Sequence, residues 1–149
     1  MVTQMLPWFD NVGKRQVKAP KVYVGDSGIL HALLGIANHH DLLAHPVVGA
    51  SWESFAMAQI QQRHMLHPHE CYYWGLHSRA EVDMVARVGG QPVGYEFKVS
   101  STPRTTKSMH SAVETLGLQK LYVVHPGTDS WPMGDRIEAL GLAQQAIGS

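Results

Sequence analysis

Four side chains with the means to do chemistry fall in two short runs on either side of Gly89-Gly90: Glu81 and Asp83 before the glycines, Glu96 and Lys98 after them. Both runs alternate apolar and polar residues, and two glycines suit the positive φ angles of a tight hairpin turn. With the glycines as a two-residue loop, Val88 faces Gln91, Asp83 faces Glu96 and Glu81 faces Lys98. Pro92 agrees with that register. It falls on a non-hydrogen-bonded rung, where a missing N–H costs the ladder nothing. Asp83 and Glu96 then oppose each other with Cα atoms about 4.5 Å apart. Like charges so placed destabilise a hairpin, and a shared proton or a cation between them removes the cost. Oxygen ligands suit Mg²⁺ or Mn²⁺, which makes Asp83 and Glu96 the candidate metal ligands. Glu81 and Lys98 read as a cross-strand ion pair. Side chains alternate along a strand, so these four share one face, and Val82, Met84, Ala86, Val93, Tyr95 and Phe97 form an apolar face opposite.

The flanking chain must position this hairpin. A helix is expected from Ser51 to about Met65, with Trp52, Phe55, Ala56 and Ile60 as its apolar face and Glu53 as an acid near its start. Tyr72-Tyr73-Trp74 reads as a strand. Thr102 as N-cap and Pro103 in the first turn start another helix, whose stripe is Met109, Ala112, Val113 and Leu116 and whose stop is Gly117. Leu121 to Val124 reads as a strand, and Ile137 to Leu142 as a short apolar segment. The core order is therefore helix, three strands, helix, strand. Upstream, residues 1–20 read as an irregular arm, with a loose basic set of Lys14, Arg15, Lys18 and Lys21. Val22 to Val24 reads as a strand, and Asp26 caps a helix bearing Ile29, Leu30, Leu33 and Leu34. Residues 21–149 are expected to form one domain with its core at about 50–125.

Composition narrows the function classes. The chain has 149 residues, 44% of them hydrophobic, which is enough to build a core. Charged residues are 16%, against about 25% in an average soluble domain. Lys+Arg and Asp+Glu are 12 each, so the chain as a whole is no basic nucleic-acid binder. Cys71 is the one cysteine, which excludes an intramolecular disulfide and an all-cysteine zinc site and points to a reducing cytoplasm. No apolar run approaches the ~18 residues of a membrane span, and Trp8, Asp10 and Asn11 stand where a signal peptide has its apolar run. No phosphate-binding Gly-x-x-x-x-Gly-Lys-Ser/Thr loop is present. Of the ten histidines, His64, His67 and His69 are close in sequence, but Pro68 and their spacing fit no standard zinc pair and read as a helix end.

Asp83 followed by Glu96-Phe97-Lys98 resembles the active-site pattern of the PD-(D/E)xK nuclease superfamily, whose restriction-endonuclease-like core has the same order of elements. Val82 stands where the superfamily's name has proline. The resemblance implies an α/β fold with a mixed central sheet flanked by helices. It implies catalytic roles for Glu53, Asp83, Glu96 and Lys98, with Asp83 and Glu96 on Mg²⁺ or Mn²⁺ and Lys98 assisting the attacking water. The reaction implied is phosphodiester hydrolysis on DNA or RNA. Ser100, Ser101, Arg104 and Lys107, just past the strand at the expected helix N-terminus, are candidate phosphate-binding residues. A wider resemblance runs through Pro20 to Gly28, Gly49 to Phe55, Tyr73-Trp74, Ala80 to Val85 and Tyr95 to Ser100. Together these blocks look like the uncharacterised domain that follows an AAA-type ATPase core in bacterial and archaeal proteins. That implies an ATPase partner, or an ATPase domain missing from this chain. The alternative it leaves open is a non-catalytic module of the same fold that binds an ATPase or nucleic acid. Leu30, Leu33 and Leu34 need cover, and a homo-oligomer would supply it.

Overall fold

A computed structural model describes residues 2–8, 21–24, 48–75, 80–100 and 102–143. Eight strands and two α-helices are found among them: β1 (Val2–Pro7), β2 (Lys21–Val24), α1 (Val48–Arg63), β3 (Cys71–Gly75), β4 (Glu81–Val88), β5 (Gln91–Phe97), α2 (Lys107–Leu116), β6 (Lys120–His125), β7 (Trp131–Gly134) and β8 (Ile137–Gly141). The sheet is mixed, in the order β2-β1-β3-β4-β5-β6-β8-β7. The helix, three strands, helix, strand order expected from the sequence is the run from α1 to β6.

The Gly89-Gly90 hairpin sets the register at the centre. Both glycines have positive φ, +61° and +82°, as a tight two-residue turn requires. Val88 pairs Gln91 and Arg87 pairs Pro92, and the ladder runs on to Met84 opposite Tyr95. The Pro92 carbonyl faces the other neighbour and accepts from the Gln119 N–H at 2.9 Å. β5 then pairs β6 in parallel, from Val93 with Lys120 to Phe97 with Val124, and α2 is the crossover between them.

Both faces of the sheet are packed, where the sequence suggested one apolar and one polar face. Ala56, Met57 and Ile60 of α1 pack on Met84, Ala86, Val93 and Tyr95. Met109, Ala112, Val113 and Leu116 of α2 pack on Val82, Val85, Leu121 and Val123. A helix on each side leaves no broad solvated face, as expected where parallel strands are joined by helical crossovers. Phe55 is 43% exposed, and Met57 takes its place in the core.

Val82 also leaves the group assigned to it. It packs with Val85, while Met84 and Ala86 face α1. The cause is a register shift: Tyr72 pairs Val85 but Trp74 pairs Val82, so three steps of β4 span two of β3. Such a bulge reverses the alternation beyond it and bends the strand. It sits at Asp83.

Two further expectations are corrected, and the apolar segment at Ile137 gains a place in the sheet. Residues 2–7 are a strand, not part of an irregular arm. β1 pairs β2 antiparallel from Val2 to Met5, then β3 in parallel at Leu6 and Pro7. α2 starts at Lys107, later than a Thr102 cap allows, and Thr106 is its N-cap, its hydroxyl accepting from the Met109 N–H at 3.2 Å. Ile137–Gly141 pairs β6 in parallel and carries β7 at the sheet edge. The basic arm at 14–18, the helix bearing Leu30, Leu33 and Leu34, and the oligomer inferred from those leucines lie outside the described residues.

Candidate functional site

Asp83, Glu96, Lys98 and Glu81 meet at the open end of the hairpin. The regular ladder stops at Met84 and Tyr95, and Asp83 supplies the next rung itself. Its Oδ2 accepts from the Phe97 N–H at 2.9 Å. Continued alternation would make Val82–Phe97 the next hydrogen-bonded rung, and the Phe97 N–H bonds the Asp83 side chain instead, which fits a bulge at this point. That bond holds one Asp83 oxygen in place.

Glu96 is 6% exposed. Burial first, then the negative charge of Asp83, push its carboxyl up to about 7, and the pull of Lys98 only partly opposes them. The Lys98 ammonium lies 3.3 Å from Glu96 Oε2 and is about half exposed, one residue past the end of β5. Sequence reasoning paired Lys98 with Glu81. The structure pairs it with Glu96, the buried acid, while Glu81 is exposed at the rim. Burial lowers the ammonium's pKa, but Glu96, Asp83 and Glu81 together outweigh it, so the group is held above its ordinary range. Glu81 is exposed and adds charge from the rim. Its backbone N–H donates to the Ser108 hydroxyl at 3.2 Å, which ties the start of β4 to the first turn of α2.

Two acids and an ammonium in partial burial can share a proton near neutral pH, or bind a cation once that proton leaves. Chemically, the oxygen donors suit a hard divalent ion. Glu53 is half-buried in the second turn of α1. Among the described residues, no three carboxylate, histidine or cysteine side chains converge as a metal-binding group, so Glu53, Asp83 and Glu96 do not form one.

The candidate phosphate-binding residues are spread along the segment after β5. Ser100 accepts from the Thr102 N–H at 3.2 Å in a local turn. Ser101 lies outside the described residues. Arg104 is exposed and precedes α2, and Lys107 is exposed at the helix's first position. Of the four, Lys107 alone stands in the first turn of α2. The histidines also separate: the rings of His67 and His69 stack 5.3 Å apart, while His64 lies by Tyr95. No helix among the described residues is long and apolar enough to cross a membrane.

Sequence reasoning missed the Glu96–Lys98 pair and a cavity of about 560 Å³ between the end of α1 and the sheet, lined by Arg63, His64, Tyr95, Lys120, Tyr122 and Glu138 among others. The local signal for the cavity was slight: Arg63-His64 at a helix end and Lys120 before an aromatic strand.

The chain is 42% identical over 144 residues to an uncharacterised protein of Mycobacterium tuberculosis, and equally to one of Mycobacterium bovis. The match covers 97% of this chain and 32% of each relative, so the chain spans about a third of the length of the curated relatives it matches. No solved structure matches. Residues 1–40 match a second domain of unknown function, DUF8612. Residues 48–144, which hold both helices and β3 to β8, match the domain of unknown function DUF4143, and the chain belongs to that family.

Proposed function

We propose that the hairpin mouth is a divalent-metal site for phosphodiester hydrolysis on DNA or RNA, in a restriction-endonuclease-like fold. The observation that carries this reading is the buried Glu96 carboxyl, set against Asp83 and Lys98 where the ladder opens. A bound Mg²⁺ or Mn²⁺ would lower the pKa of water and offset charge on a phosphate. Asp83 and Glu96 hold it, and Asp83 is steadied by the Phe97 N–H. Lys98, half exposed beside Glu96, orients the attacking water or meets the charge that develops on the phosphate.

The test is cleavage of single- and double-stranded DNA and RNA with Mn²⁺ or Mg²⁺, comparing the wild type with Asp83→Ala and Lys98→Ala. Metal-dependent cleavage lost in both variants supports the reading. Equal cleavage by all three refutes the site. No cleavage by any favours a second reading, in which this domain is a non-catalytic module that docks on an AAA-type ATPase. The formal net charge of zero and the threefold greater length of the relatives favour that reading.

A further inference from the structure

We propose that the cavity between the end of α1 and the sheet binds a nucleoside monophosphate. It shares no lining residue with the hairpin mouth, so it stands independently of the proposed hydrolysis. Its volume of about 560 Å³ falls within the range of small-molecule sites. One wall is aromatic: the Tyr95 and Tyr122 rings lie 5.6 Å apart and 20° from parallel, and Tyr122 is only half-buried. A purine or pyrimidine can stack on the exposed part of such a ring.

The rim is cationic. Arg63 and His64 come from the end of α1, and Lys120 from the start of β6. Glu138 is the acid among the described lining residues, and Lys120 already holds it at 2.6 Å. Arg63 and Lys120 are the fixed cations among those residues. The Lys120 ammonium also lies 5.7 Å from the Tyr122 ring centre, so positive charge and stacking surface are within one ligand's reach. A planar guanidinium at Arg63 matches a phosphate's paired oxygens.

The end of α1 is built to hold these groups. The Met65 N–H donates to the Gln62 carbonyl at 3.2 Å and the Leu66 N–H to the Gln61 carbonyl at 2.8 Å. Met65 takes a left-handed conformation, φ +53°. That is a Schellman stop, which fixes the direction of Arg63 and His64 just before it.

AMP is the probe, titrated into the full chain by calorimetry or NMR, with adenosine, inorganic phosphate and a short oligonucleotide alongside. Saturable binding of AMP is expected, with adenosine and phosphate each at least about tenfold weaker. Arg63→Gln and Tyr122→Leu should each weaken AMP binding by about tenfold or more. Arg63 is exposed, so its variant keeps the test open if Tyr122→Leu fails to fold. Absence of AMP binding at millimolar concentration overturns the proposal. So does unchanged affinity in Arg63→Gln, or binding of the oligonucleotide without AMP.

Discussion

Replacing Glu96 by glutamine should make the fold more stable at pH 8 and leave it nearly unchanged at pH 5. The folded chain holds this carboxyl's proton up to about 7, whereas the ordinary value is 4.5. Between those values the folded state binds more protons than the unfolded state, so stability falls as pH rises. Above 7 both states are ionised and the loss is complete. The gap corresponds to about 3 kcal/mol. Glutamine keeps the side chain's size and its reach to Lys98 without the charge. The pull of Lys98 is already contained in the value of about 7, so the net gain at pH 8 is about 3 kcal/mol, or about 6–12 °C in Tm. Urea unfolding of both proteins at pH 5 and pH 8 measures it. Identical differences at the two pH values would refute the buried-acid account. Mn²⁺ adds a second arm. If Asp83 and Glu96 hold the ion, Mn²⁺ should stabilise the wild type at pH 8 and act much less on Glu96→Gln.

Three other perturbations follow from the packing. Thr106→Ala removes the cap of α2 and should cost about 1 kcal/mol in denaturant unfolding. Gly94→Ala places a Cβ 2.8 Å from Leu118 Cδ1 and 2.9 Å from Leu121 Cδ1; both leucines are fully buried, and overpacking should cost about 1–3 kcal/mol. Met65→Gly should raise stability by about 0.5–1 kcal/mol, because the left-handed residue is 83% exposed and gives up little contact. A fall in Tm for that variant would contradict the account of the helix end.

The parts legible in the sequence were those with local signals. Two glycines, the alternation around them and Pro92 gave the hairpin register, and the stripe from Met109 to Leu116 gave the buried face of α2. The parts missed depend on contacts between distant segments. A bulge on β4 answers to β3, so nothing near Asp83 in sequence announces that Val82 changes face. Thr102-Pro103 and Thr106 are both plausible caps, and the bond from Glu81 to Ser108 goes with the later start. β1 is too short and mixed to declare itself before β2 and β3 lie on either side. Spacing alone puts Glu81, Asp83, Glu96 and Lys98 together at the open end of the hairpin, and the structure does the same. The partner of Lys98 was not legible there, because burial of Glu96 makes it the acid most in need of a cation.

β1 pairs β3 in parallel at Leu6 and Pro7, and the Trp8 N–H donates to the Tyr73 carbonyl at 2.7 Å. Met5, 1% exposed, is buried in the cluster that includes Cys71 and Tyr73. Residues matched by one family thus complete the sheet of the other, and a cut between residues 40 and 48 would divide one folding unit. A fragment starting at residue 48 would carry β3 as a bare edge, with Tyr72 and Tyr73 offering unpaired backbone groups beside exposed apolar surface. Such an edge recruits strands from other molecules. The fragment should therefore aggregate on expression, and a synthetic peptide of residues 1–24 should restore its solubility by taking the vacant place.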